Sequence, residues 1–151
     1  MIVDLGYFPL KAFARLATAG AYFFSRRNPQ TTLLTTAADR WHPVDLAHGL
    51  TTVEGQLLER AICLGENARV ASRLMASRVP AAIVNERRRH AKKTAQQKGY
   101  TPATAHLTLL AWNLLMTNVP PSVWTTDTIG KVYPVRWPSE RIFKSWKSDL
   151  H

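Results

Sequence analysis

The chain has 151 residues, 46% of them hydrophobic, with 20 lysines and arginines against 10 acids and a net charge of +10. That length and apolar content suit one globular domain and exclude wholesale disorder, and the excess of cations points to a polyanionic partner, nucleic acid before an anionic membrane surface. Cys63 stands alone and the five histidines lack metal-ligand spacing, which excludes an intrachain disulfide and a cysteine-based zinc site; no apolar run of 18 or more residues marks a membrane span.

No basic region followed by an apolar stretch and a cleavage site opens the chain, so a cytosolic protein is expected. Met1 to Asp4 reads as the end of a buried strand that finishes in an acid. Gly6 permits a tight turn, and Pro9 suits the first position of a helix. Over Leu10 to Thr18 the spacing puts Leu10, Phe13, Leu16 and Ala17 on one face, with Gly20 as the stop. Ala21 to Ser25 is a short aromatic run and is expected as a core strand, closed by Arg26-Arg27-Asn28-Pro29. Residues 1–27 thus form a strand–helix–strand unit with an acid at the carboxyl end of its first strand, where open α/β sheets place their sites.

Residues 28–121 change character. Thr31 to Thr36 is strand-like, and Trp41-His42-Pro43 to Leu50 is expected as loop with a short helical turn. Val53–Leu64 and Val70–Val79 are two strands joined by Gly65-Glu66-Asn67-Ala68, with alternation too imperfect to set a register. Pro80 opens a helix that runs to Gly99. It holds Arg87, Arg88, Arg89, Lys92, Lys93 and Lys98 against one acid, Glu86. Spread over nearly two turns, these cations cannot share one face, so part of the run is solvated; as a patch they would neutralise phosphates without reading sequence. Leu107 to Met116 is the most apolar run and is expected as a strand.

Residues 122–151 form the last segment. Thr125-Thr126-Asp127 offers an N-cap for a helical turn reaching Val132. At about 100° per residue, Tyr133, Arg136, Glu140, Lys144 and Lys147 fall within a wedge of roughly 80°. Val132, Val135, Ile142, Phe143, Trp146 and Leu150 form an apolar stripe on the other side. On spacing alone this is a solvated amphipathic helix with a Glu140–Lys144 pair. The polar face equally suits metal-assisted chemistry on a phosphate, with a carboxylate among cations and a phenol.

Tyr133, Arg136, Glu140 and Lys147, separated by two, three and six residues, resemble the Y-R-E-K signature of bacterial DDE transposases of the insertion-sequence-four group. The DLGYF and GAYFFSR stretches resemble the second-aspartate region of that family, and WNLLMTNVPP resembles the segment that precedes its tyrosine. The resemblance implies an α/β fold: an incomplete ribonuclease-H-like core with its first strands missing, and a β-rich insertion over 28–121. It implies a two-metal phosphoryl-transfer site with Asp4 and Glu140 as catalytic acids and Mg²⁺ ligands. Tyr133, Arg136, Lys144, Lys147 and the Arg87–Lys93 cluster would grip DNA, and Trp112 would stack on a flipped base or else fill a strand core.

Two features depart from that pattern. The first of the three acids is absent, since Asp39, Asp45, Asp127 and Asp149 lie in loop, insertion or terminal positions. Prolines also stand at 134 and 138, and Pro138 inside a helix costs roughly 3 kcal/mol. Starting the helix at Pro138 would leave Tyr133 and Arg136 on a preceding turn. The expected function is therefore that of a C-terminal transposase fragment, inactive alone, with double-stranded DNA at transposon ends as partner. The alternative is a non-enzymatic fragment that binds DNA or full-length transposase and interferes with transposition. A split enzyme completed by an upstream-encoded fragment is a third reading.

Overall fold

A computed structural model of the chain describes residues 2, 3, 10–129 and 131. The backbone divides into two units, residues 1–118 and 119–151. The first begins as its sequence suggests. Strand β1 (Ile2–Val3) leads through helix α1 (Leu10–Thr18) to strand β2 (Phe24–Arg26), which pairs parallel to β1. Phe13 is fully buried and stacks on Phe23, ring centroids 4.3 Å apart. Leu10, Ala14 and Leu16 pack against the same cluster, whereas Ala17, expected on that face, is exposed. Gly20 ends the helix at φ +69°, letting the Ala21 N–H donate back to the Leu16 carbonyl at 2.8 Å. The strand expected from Ala21 starts only at Phe24. Asn118 takes the preceding ladder positions, its Oδ1 accepting from the Phe23 N–H at 2.7 Å and its Nδ2 donating to the Ala21 carbonyl at 2.9 Å.

Strands β3 (Leu33–Ala37) and β4 (Arg40–Pro43) form a hairpin, so the loop expected at Trp41–Pro43 is instead an edge strand. Ala38 and Asp39 both have positive φ, 47° and 57°, as a two-residue primed turn requires. The short helix α2 (Leu46–Thr51) is capped by Asp45, whose Oδ1 accepts the His48 N–H at 3.0 Å. Strands β5 (Leu57–Leu64) and β6 (Val70–Arg78) are antiparallel from Leu57↔Ser77 to Leu64↔Val70, joined through Gly65 at φ +75°. Helix α3 (Ala81–Gln97) starts after Pro80 and stops before Gly99 at φ +73°, as expected. The run expected as one strand divides into helix α4 (Thr104–Leu109) and strand β7 (Trp112–Thr117). Leucine and threonine alternations there fit either period, and only the second half has a strand, β6, to pair with.

The sheet order is β1-β2-β7-β6-β5-β3-β4, antiparallel at every pairing except β1/β2. The unit is thus mixed α/β: a six-stranded antiparallel sheet with β1 added parallel at one edge. One sheet face carries Ile62, Leu64, Val70, Leu74, Ala76, Trp112 and Met116 and packs against Phe13, Leu46 and Leu50. The central strand β6 is also buried on its other face, at Arg73 and Met75. A strand buried on both sides loses its polar alternation, which explains the imperfect pattern in its sequence.

In residues 119–151 the Pro120 carbonyl accepts from Val123 and Trp124, at 3.0 and 3.1 Å. Thr125 then caps a helical segment described at 126–129 and 131, its Oγ1 accepting the Thr128 N–H at 3.3 Å. Lys131 pairs with Asp127 one turn earlier at 2.6 Å. Among the described residues no helix is long and apolar enough to cross a membrane.

Candidate nucleic-acid interface

Helix α3 sorts its own cations. Val84 and Ala95 are buried, and Arg87, Arg88 and Ala91 between them are half-buried, a stripe at three- and four-residue spacing. The Arg87 guanidinium donates from Nη1 to the carbonyls of Leu110 (3.3 Å) and Trp112 (3.5 Å), and from Nη2 to Asn113 Oδ1 (2.9 Å). Arg88 Nε donates to the Leu107 carbonyl at 3.2 Å. Leu107 lies in the last turn of α4, whose carbonyls have no partner within the helix. These two arginines therefore fasten α3 to the corner between α4 and β7.

The remaining cations face outward. Arg89, Lys92 and Lys93 are exposed, and none of them makes an ion pair among the described residues. Arg89, His90 and Lys93 line an open groove with Glu86 and Arg87. A rigid helix showing unpaired cations to water is a surface suited to a phosphate backbone. Of the five cluster residues expected to grip DNA, the fold leaves Arg89, Lys92 and Lys93 accessible and turns Arg87 and Arg88 inward.

Trp112 is 4% exposed and belongs to the core cluster. Arg78 lies over its ring, 4.4 Å from the centroid, held by the carbonyls of Gly55 (3.1 Å) and Val53 (2.6 Å). Nothing local in the sequence marks Arg78; the register that sets it opposite Trp112 does. The same holds for Arg73 and Glu59, diagonal neighbours on β6 and β5 that form a 2.7 Å ion pair. Burial pushes the Cys63 thiol above its ordinary range, an effect partly offset by the charge of Arg69.

Asp4, Tyr133, Arg136, Glu140, Lys144 and Lys147 lie outside the described residues. In sequence Asp4 follows Val3, the last described residue of β1. Among the described residues no three His, Cys, Asp or Glu side chains cluster to hold a metal ion. The carboxylates Asp4 and Glu140 are hard oxygen donors of the kind Mg²⁺ takes.

The family described as "Transposase DDE domain" matches residues 1–151. The chain is 29% identical to the transposase for insertion sequence element IS231B of Bacillus thuringiensis subsp. berliner and 30% identical to that for IS231D of Bacillus thuringiensis subsp. finitimus. It is 26% identical to the transposase for insertion sequence element IS1151 of Clostridium perfringens. Each match covers 97% of this chain and 34% of the relative, so the chain spans about a third of the length of these proteins. No solved structure matches it. With a mixed α/β fold and a family match over its whole length, the chain belongs to the transposase DDE domain family.

Proposed function

We propose that this chain contributes the second and third acids, and part of the DNA-binding surface, of a transposase that cleaves and joins DNA at transposon ends. The observation that carries the reading is the outward cation face of α3, held in place by Arg87 and Arg88, in a chain of this family. Arg89, Lys92 and Lys93 would neutralise phosphates without reading bases. Asp4 and Glu140 would hold Mg²⁺, whose charge stabilises phosphoryl oxygens when bound. Tyr133, Arg136, Lys144 and Lys147 would hold the phosphates beside it. The β1–α1–β2 unit supports a ribonuclease-H-like core, which would be interrupted by an insertion over 28–121. Residues 122–151 would supply the Y-R-E-K motif.

A two-metal centre needs three acids, and two residues of this chain match them, so the chain by itself is expected to bind DNA without cutting it. The same basic face favours a second reading, in which the chain binds DNA or a full-length transposase and interferes with transposition. The test incubates the purified chain with terminal-repeat duplex at rising salt, with and without Mg²⁺. Binding that weakens steeply with salt and leaves the DNA intact is expected. Affinity indifferent to salt would remove the electrostatic basis, and Mg²⁺-dependent cleavage would show that the chain is catalytically sufficient.

A further inference from the structure

Several arginines of the first unit have defined acceptors, from the buried Arg73 through the half-buried Arg87 to the exposed Arg78. Arg73 meets Glu59 at 2.7 Å, Arg87 meets three acceptors, and Arg78 meets two carbonyls and a ring. Arg27 is different. Its Nε is buried without an acceptor, and its Nη2 reaches only the Pro29 carbonyl at 3.5 Å, the outer limit of a hydrogen bond. No carboxylate among the described residues pairs with it. Burial alone pushes its pKa down, which means the cation is poorly compensated where it sits.

The backbone explains its position. The Arg27 N–H donates to the Leu114 carbonyl at 3.0 Å, extending the β2/β7 ladder one residue beyond Arg26. Arg27 therefore stands at the carboxyl end of β2, beside the carboxyl end of its parallel neighbour β1, which Asp4 follows in sequence. Ligands of open α/β sheets collect at that end. The residue as a whole is half-buried, so the guanidinium has one sequestered edge and one edge toward water.

We propose that Arg27 is a further phosphate-binding residue, its Nη groups taking the oxygens of one DNA phosphate end-on at the carboxyl end of the β1/β2 pair. An arriving phosphate supplies a counter-charge that no described carboxylate provides, and a planar fork suits two phosphate oxygens better than an ammonium does. The assignment rests on the DNA-binding reading above.

The test uses Arg27→Met and Arg27→Lys in the full chain, with labelled duplex DNA of arbitrary sequence. For Arg27→Met we expect about tenfold weaker binding, a salt dependence shallower by about one unit of slope, and a thermal midpoint equal to or above that of the unchanged chain. Arg27→Lys restores the slope. Equal affinity and slope for Arg27→Met would overturn the assignment while leaving the DNA-binding reading intact. So would a lowered midpoint, or failure to fold, because either would make Arg27 a structural residue. An unchanged chain that binds no DNA would remove the underlying reading instead.

Discussion

Gly65 has a φ of +75°, and a Cβ built there would stand 3.0 Å from Leu10 Cδ2 and 3.3 Å from Cδ1. Gly20 has a similar φ of +69° but nothing within 4 Å of such a Cβ. Both replacements by alanine pay the left-handed backbone penalty of about 1–2 kcal/mol. Only Gly65→Ala must also displace the Leu10 side chain by a few tenths of an ångström, so its loss of stability in urea unfolding should exceed that of Gly20→Ala. Equal losses would mean that Leu10 yields freely and that α1 is loosely seated there. Residues of this kind are legible in a sequence, because a glycine at the end of a periodic run has a local conformational reason. The partners of Arg73, Arg78 and Arg87 are not, because each is set by residues at least a strand or a helix away.

At the scale of elements, α3 separates its stability from its charge. Arg87→Ala strips the donors from Asn113 and from the Leu110 and Trp112 carbonyls, and should cost about 1–3 kcal/mol. Arg89 and Lys92 are exposed and make no ion pair among the described residues, so Lys92→Ala and Arg89→Ala should stay within about 0.5 kcal/mol of the parent while weakening DNA binding. Denaturant midpoints together with salt-dependent DNA titrations check both halves. An Arg87→Ala chain as stable as Lys92→Ala would show that the arginine does not fasten the helix. The bounds of α3 are legible from Pro80 and Gly99, but its inward face is not, since Arg87 and Arg88 replace the apolar residues that normally mark one. Two other elements hide for stated reasons. β4 follows an Ala-Asp turn that lacks the usual Asn-Gly signal, and α4 shares an apolar run with β7.

At the scale of the first unit, sequence order and sheet order diverge. The chain leaves β2, builds β3 to β6 outward and back, and returns by β7 to close beside β2. That closure joins residues more than 90 positions apart, through the Phe24↔Thr117 register and the Asn118 side chain, and no local pattern announces it. The order of the sheet also predicts a gradient of local stability. β6 is the middle strand, paired on both edges along most of its length and buried on both faces, whereas β4 is an edge strand whose four residues are all exposed. Amides that exchange only when paired strands separate on both sides should be the slowest in the molecule. Native-state hydrogen exchange is therefore expected to protect the amides of Val70–Arg78 most, those of Trp112–Thr117 nearly as well, and those of Arg40–His42 least. Protection of the β4 amides equal to that of β6 would mean that the hairpin edge is covered in solution, and the sheet order would no longer rank its strands.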